Sequence, residues 1–307
     1  MKKLLCVLLG ALLLTGCGKI QPDVTVATTP SVAPDPTPTG VYVLQEQVSY
    51  DAKDRKSVGM TVTFDEQMLP TSIFMDSGTD VTYTLNYDES SMITGFTMVR
   101  TLYGEETTGS ALVNDHGDII EKTTDGKTST VNYGYDDRGN MIKKETFSGG
   151  NLTSVTTWAY DDRGNQTEQS YTSVNGGYTK IYENTYDGEL LTAIHCKPED
   201  GDTDYTESFT YDDRGLLTRW EQVSGAETIA AEYTYNEQGL LTVKTSLLDG
   251  QEQIRLEFAY DDLGRVIERK TYENGQYQGR TTYSWTNEPV LLTDAQQNIL
   301  KQLGALL

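Results

Sequence analysis

Hydrophobic and polar positions alternate along most of this chain. Ile254, Leu256, Phe258 and Tyr260 fall on one parity, and Arg255, Glu257 and Ala259 on the other. The same holds for Ile229, Ala231, Tyr233 and Tyr235 against Ala230, Glu232 and Thr234, and for Tyr205, Phe209 and Tyr211 against Thr206, Ser208 and Thr210. Such alternation in Tyr, Thr, Val and Ile predicts half-buried β-strands. Each strand runs into a polar stretch holding a glycine, as in Tyr135-Asp136-Asp137-Arg138-Gly139-Asn140. An apolar residue shortly after it (Met141, Leu217, Leu241, Val266) opens a second strand. Ser148-Gly149-Gly150-Asn151, Asn175-Gly176-Gly177 and Asp249-Gly250 then supply return turns.

The pattern recurs. Aligned on the aromatic that closes the first strand, the units begin at Phe64, Tyr87, Val113, Tyr135, Tyr160, Tyr186, Tyr211, Tyr235, Tyr260 and Trp285, spaced 23, 26, 22, 25, 26, 25, 24, 25 and 25 residues. A period near 25 held this long is an internal repeat of one hairpin per unit. The opening aromatics and the residues two before them (Leu85, Tyr133, Trp158, Phe209, Tyr233, Phe258, Tyr283) are expected to line one face, and Thr, Ser, Glu and Lys the other. A flat sheet of about twenty strands, about 4.8 Å apart, would be nearly 100 Å wide, with an apolar face larger than monomers leave exposed. The expected fold is all-β: about ten antiparallel β-hairpin repeats coiled into a spiral or barrel-like sheet, aromatic rows inward, with a short C-terminal helix.

The polar stretch itself reads as a corner. Its first Asp can bond the amides ahead of it, its Gly can take a positive φ, and Arg138 can sit against a carboxylate of its own or the next turn. Tyr235 and Gly239 frame Asn236-Glu237-Gln238, which lacks both Asp and the Arg. A turn survives that exchange and a metal site does not. Tyr-Asp-x-x-Gly at this period, with an aromatic two before the Tyr, resembles the YD repeat, or RHS repeat, of bacterial RHS and insecticidal toxin-complex proteins and of animal teneurins. The resemblance covers residues 41–287 and implies a spiral of antiparallel hairpins. Larger members add an RHS core motif and a variable toxin domain. Neither follows Trp285, so caging a toxin is not expected. Thr293 and Gln296 there fit a capping box, and Ala295, Ile299, Leu303 and Leu306 share one helix face, predicting a plug for the open end.

The chain opens MKKLLCVLLGALLLTGC, a basic start and a short apolar run ending in Leu14-Thr15-Gly16-Cys17. This layout resembles the signal peptide and lipobox of bacterial lipoproteins, with Cys17 as the lipidated residue. Residues 1–16 thus read as signal peptide, 17–40 as lipidated Cys17 and a Pro/Thr-rich stalk, 41–287 as the repeat domain and 288–307 as the capping helix. Loss of Lys2 and Lys3 takes the formal charge from −22 to about −24. That excess of carboxylates argues against nucleic acid as a partner. Cys6 leaves with the signal and Cys17 carries lipid, so Cys196 has no disulfide partner.

Candidate chemistry is sparse. His116 sits in a turn and is expected to be solvated. His195 and Cys196 are strand neighbours, which point to opposite faces and cannot form a dyad. Asp200, Asp202 and Asp204 have the spacing that starts a calcium loop, but the loop glycine and the closing Glu are missing, so they rank as a weak candidate and no metal or cofactor is expected. Trp220 falls on the parity opposite the aromatic rows and is expected to be exposed. With Tyr171, Tyr178, Tyr272 and Tyr277, which flank hairpin tips, it forms the candidate ligand-binding set. The expected function is a non-enzymatic lipoprotein, lipid-anchored in the bacterial cell envelope outside the cytoplasm, presenting a rigid β scaffold to proteins or glycans. The alternatives are an accessory or remnant of an RHS-type toxin system and a cell-wall carbohydrate hydrolase.

Overall fold

The computed structural model describes residues 39–199 and 202–307. The signal peptide, Cys17, almost all of the stalk and Asp200 lie outside the described residues. The strands are β1 (Thr39–Val41), β2 (Leu44–Asp51), β3 (Lys56–Phe64), β4 (Pro70–Asp76), β5 (Asp80–Tyr87), β6 (Ile93–Leu102), β7 (Glu105–Val113), β8 (Ile119–Thr124), β9 (Lys127–Tyr135), β10 (Met141–Ser148) and β11 (Asn151–Tyr160). They continue as β12 (Gln166–Ser173), β13 (Gly176–Asp187), β14 (Leu190–Pro198), β15 (Tyr205–Tyr211), β16 (Leu217–Ser224), β17 (Glu227–Tyr235), β18 (Leu241–Leu248), β19 (Gln251–Tyr260), β20 (Val266–Glu273), β21 (Gln276–Trp285) and β22 (Val290–Leu292), followed by helix α1 (Asp294–Gln302). No helix among the described residues is long and apolar enough to cross a membrane.

Strands β2 to β21 form a single antiparallel sheet closed into a barrel. Closure runs through β2, which pairs with β3 on one side and with β21 on the other, Val48 opposite Gly59 and Thr282 respectively. Of the spiral and the barrel that the pattern left open, the ring takes the barrel, and every strand in it has two neighbours. Twenty strands at about 4.8 Å give a perimeter of roughly 100 Å, the size class in which closed barrels enclose a channel.

The two rims are chemically different. At one, each strand that ends in the repeat aromatic turns through the Asp-x-x-Gly corner. At the other, tight hairpins such as Asp125-Gly126, Asp249-Gly250 and Asn274-Gly275 place both central residues at positive φ, the mirror-image turn geometry that matches strand twist. At the corner rim the C-terminal segment packs inside one arc of the wall, β21 and β2 to β7. β1 pairs with β22, and α1 begins at a Thr293 capping box with Gln296. Ile299, Leu300 and Leu292 are fully buried there against Ile73, Leu85, Ile93 and Phe96 of the wall. Side-chain amides of Gln296, Asn298 and Gln302 donate to the carbonyls of Ser91, His116 and Gly117 in the corners themselves. A Cβ on Gly117 would lie 2.3 Å from the Ala295 carbonyl oxygen, so the helix can seat only because that corner has no side chain.

The wall facing this plug is the inner face. By strand register it carries the aromatic rows, Tyr133 and Tyr135, Trp158 and Tyr160, Tyr233 and Tyr235 among them. The second strand of most repeats is bulged just after the corner. Opposite Tyr211 and Thr210 of β15 stand Leu217 and Arg219, and Thr218 is the extra residue. A bulge advances the side-chain phase by one, so Leu217 and Trp220, three apart, both face inward.

Candidate functional site

The corner rim is built by a clasp that reaches in both directions. In the Tyr135–Asn140 unit, one Asp136 carboxylate oxygen accepts the backbone amides of Arg138 and Asn140 at 2.9 and 2.8 Å, and Gly139 takes φ 81°. Asp161, Asp212 and Asp261 accept the equivalent pairs of amides. These bonds stabilise the ionised form. The Asn140 side chain is the leading contributor in holding Asp136 below the usual carboxylate range, and the Leu216 amide in holding Asp212 there. Asn236 fills the same role with its amide oxygen, accepting from Leu240 at 2.9 Å.

Where the unit's aromatic is Tyr or Trp, it ties back to the unit before. The hydroxyls of Tyr160, Tyr211, Tyr235 and Tyr260 donate to the carbonyls of Met141, Leu191, Leu217 and Leu241 at 2.6–2.9 Å. The Trp285 indole does the same to Val266 at 2.7 Å. The arginine ties forward: Arg138, Arg163 and Arg214 donate to the carbonyls of Asp162, Gly188 and Asn236 in the next corner at 2.7, 2.8 and 3.0 Å. The Asp162 carboxylate is 3.7 Å from Arg138, so the carbonyl is the closer partner. The first Asp of each of the four YDD units thus builds the corner.

His116 is not the solvated turn residue expected. Its ring stacks on Tyr135 with centroids 3.8 Å apart and planes 2° apart, and its carbonyl accepts from the plug. His195 points outward, 3.6 Å from Glu183 and 3.7 Å from Asp204. Cys196 faces inward, buried, its thiol pushed up chiefly by burial. Asp204 is turned to that histidine. Among the described residues no group of three or more His, Cys, Asp or Glu side chains is placed to hold a metal.

The candidate aromatics separate into two pairs and a stray. Tyr171 and Tyr178 stack across β12 and β13 on the inner side of the tip rim, centroids 5.4 Å apart, with Lys180 5.3 Å from the Tyr178 ring. They border an open hollow of about 430 Å³ with Ser170, Ser173 and Glu199. Tyr272 and Tyr277 meet across β20 and β21 on the outer side, 5.6 Å apart, with the Arg255 guanidinium 4.0 Å over Tyr272. The expectation for Trp220 is overturned. It lies inward opposite Phe209, packs against the Leu217, Ala231 and Tyr233 cluster, and its indole donates to Glu207 at 3.2 Å. Counting by twos from the aromatic misses the bulge at Thr218. That same slip hides the inward Lys144, Lys244 and Arg269, whose position nine residues after the aromatic is the signal that could have found them.

Among curated proteins none matches this sequence. Of solved structures, the TcdB2-TccC3-Cdc42 complex aligns at 17% identity and TM-score 0.41, over 78% of this chain and 15% of that one. The Photorhabdus luminescens Tc holotoxin pore aligns at 17% and 0.41, over 76% and 14%. A porin-like protein from Bacteroides uniformis aligns at 14% and 0.39, over 82% and 99%. The chain therefore spans about 15% of the length of the toxin chains it resembles. Residues 110–306 match the Teneurin YD-shell family, a stretch that takes in the corners from Asn114 onward and the C-terminal helix. That match covers more than half of the sequence, and the chain belongs to the Teneurin YD-shell family.

Proposed function

We propose that this YD-shell is a non-enzymatic scaffold, held at the bacterial cell surface by a lipid on Cys17, that presents its hairpin-tip rim to glycans or proteins. The observation that carries the proposal is the Tyr171–Tyr178 pair, stacked beside an open hollow on the rim opposite the C-terminal helix. Paired ring faces beside serine hydroxyls offer the apolar and polar surfaces that a sugar ring presents in return. The outer wall supports a shell standing in water. Glu183, His195, Lys197, Arg219 and Glu232 project from it, where a lipid-facing barrel carries an apolar band. The corner carboxylates, committed to backbone amides, support a scaffold over a hydrolase.

Two measurements test this reading. Cys17→Ser is expected to release the full-length protein from membranes, and continued retention contradicts the anchor. A glycan array and a pull-down with the full-length protein should return a ligand whose binding drops at least tenfold in Tyr171→Ala. An unchanged signal in that variant contradicts the site. A second reading, an accessory shell of a YD-repeat toxin system, draws on family membership and would be favoured by a pull-down that returns a larger YD-repeat protein.

A further inference from the structure

The bulge after each corner sorts charge between the two faces of the wall. In several repeats the residue it turns inward is cationic: Lys122 opposite Ala111, Lys144 opposite Tyr133, Lys244 opposite Tyr233 and Arg269 opposite Phe258. Lys180, opposite Gln169, joins them. Lys144, Lys180 and Lys244 lie 5.8, 5.3 and 5.7 Å from the ring centroids of Tyr133, Tyr178 and Tyr233. Carboxylates in the middle of the strands go the other way: Glu121, Glu145, Glu168, Glu183, Glu232 and Glu257 all take outward register. Glu207 is the inward exception in mid-strand, and Glu227 and Glu273 take inward register at the strand ends of the tip rim. Glu207 is buried, bonded by Trp220, and its carboxyl is raised chiefly by burial, which disfavours its charge.

The two sets of cations are also satisfied differently. Outside, Lys143 meets Glu145 at 2.7 Å, Lys197 meets Glu183 at 2.5 Å and Arg219 meets Glu232 at 2.5 Å. Inside, Lys122, Lys144, Lys180 and Arg269 have no carboxylate partner among the described residues, and the Arg269 Nε is buried with no hydrogen-bond partner. The chain has 46 Asp and Glu against 24 Lys and Arg, so carboxylates are not scarce. In mid-strand the fold aims them away from these cations. Leaving the buried Arg269 Nε unpaired is costly, and an anion from outside the chain would relieve that cost while meeting the lysines beside it.

We infer that the lumen binds an extended acidic glycan, a polysaccharide with carboxylates on its sugars, entering through the hairpin-tip rim. The inference rests on the glycan-binding reading above and names the ligand class. Lys122 and Lys144, like Lys244 and Arg269, stand one repeat apart, about 10 Å across two strands, a spacing that suits charges along a polymer. Between them the wall offers tyrosine rings and the hydroxyls of Thr146, Thr156, Ser246 and Thr271. A peptide is the poorer fit, because a closed ring has no free strand edge for a peptide strand to join. The helix and β22 occupy the other rim, packed against β21 and β2 to β7.

The test is calorimetric titration of the full-length protein with three probes: oligogalacturonate, its fully methyl-esterified counterpart and an oligoglutamate of equal charge. The acidic glycan should bind, with affinity falling as salt rises, and the ester at least tenfold more weakly. Lys122→Gln with Lys144→Gln should weaken binding at least tenfold. Lys143→Gln with Lys270→Gln, which removes the same charge from the outer wall, should stay within twofold. If the inner double variant loses its near-ultraviolet dichroism, Lys122→Gln alone, at an exposed lumen position, replaces it and should still weaken binding several-fold. Equal losses from both walls, oligoglutamate binding as tightly as the glycan, or no binding of oligogalacturonate would each overturn the inference. A neutral glycan that binds and is lost in Tyr171→Ala, with no acidic glycan binding, sinks the lumen site and leaves the scaffold reading intact.

Discussion

Tyr160 and Arg163 leave the same corner in opposite directions, one bonding the repeat before and the other the repeat after. The motif is therefore a splice between units, and each half can be cut alone. Tyr160→Phe keeps the buried ring and loses one hydroxyl bond, which should cost about 1 kcal/mol in denaturant melts. A cost near zero would mean that the bond to Met141 is not formed. Glu207 gives a pH signature. Burial raises its folded carboxyl above the ordinary 4.5, so the folded state holds the proton to higher pH than the unfolded state does. Its contribution is fully present below the unfolded value and lost as pH rises through the folded one. Glu207→Gln should therefore gain melting temperature over the native protein at pH 7 relative to pH 4, and an equal difference at both would contradict this. The corner was legible from Tyr, Asp and Gly alone. The destinations of the Tyr and Arg were not, because both donate to backbone carbonyls a repeat away, which leave no mark in the composition.

At the scale of elements, the plug and the corners share one position, Gly117. Gly117 and Gly164 occupy the same place in the repeat, at φ 77° and 83°. A Cβ at Gly164 meets nothing within 4 Å, whereas at Gly117 it meets the backbone of α1. Gly164→Ala should cost about 1 kcal/mol of left-handed strain. Gly117→Ala should cost clearly more, and limited proteolysis should then cleave near residue 295. Equal costs would contradict the seating of the helix on that corner. The strands and the helix could be read from period and capping residues. The faces of the second strands could not, since a bulge at Thr218 or its equivalents leaves the alternation intact while moving it by one. Trp220 was misplaced for that reason, and the lysines of the inner wall were hidden by it.

The whole molecule is a ring whose neighbouring units are bonded at the corners, with most mid-strand carboxylates outside, tyrosine rows and a set of cations inside, and a helix packed in one end. Family membership and the count of hairpins were available from the period near 25, but closure was not, because the pairing of β2 with β21 joins residues more than two hundred apart with no shared motif. Closure is also the claim on which the lumen and the absence of a free edge in the ring depend. Native-state hydrogen–deuterium exchange of the peptides covering Leu44–Asp51 and Gln276–Trp285 tests it most directly. A closed ring should protect their amides to the level of a mid-sheet strand such as Glu227–Tyr235, and exchange of alternate amides in both peptides at rates typical of free edge strands would contradict it.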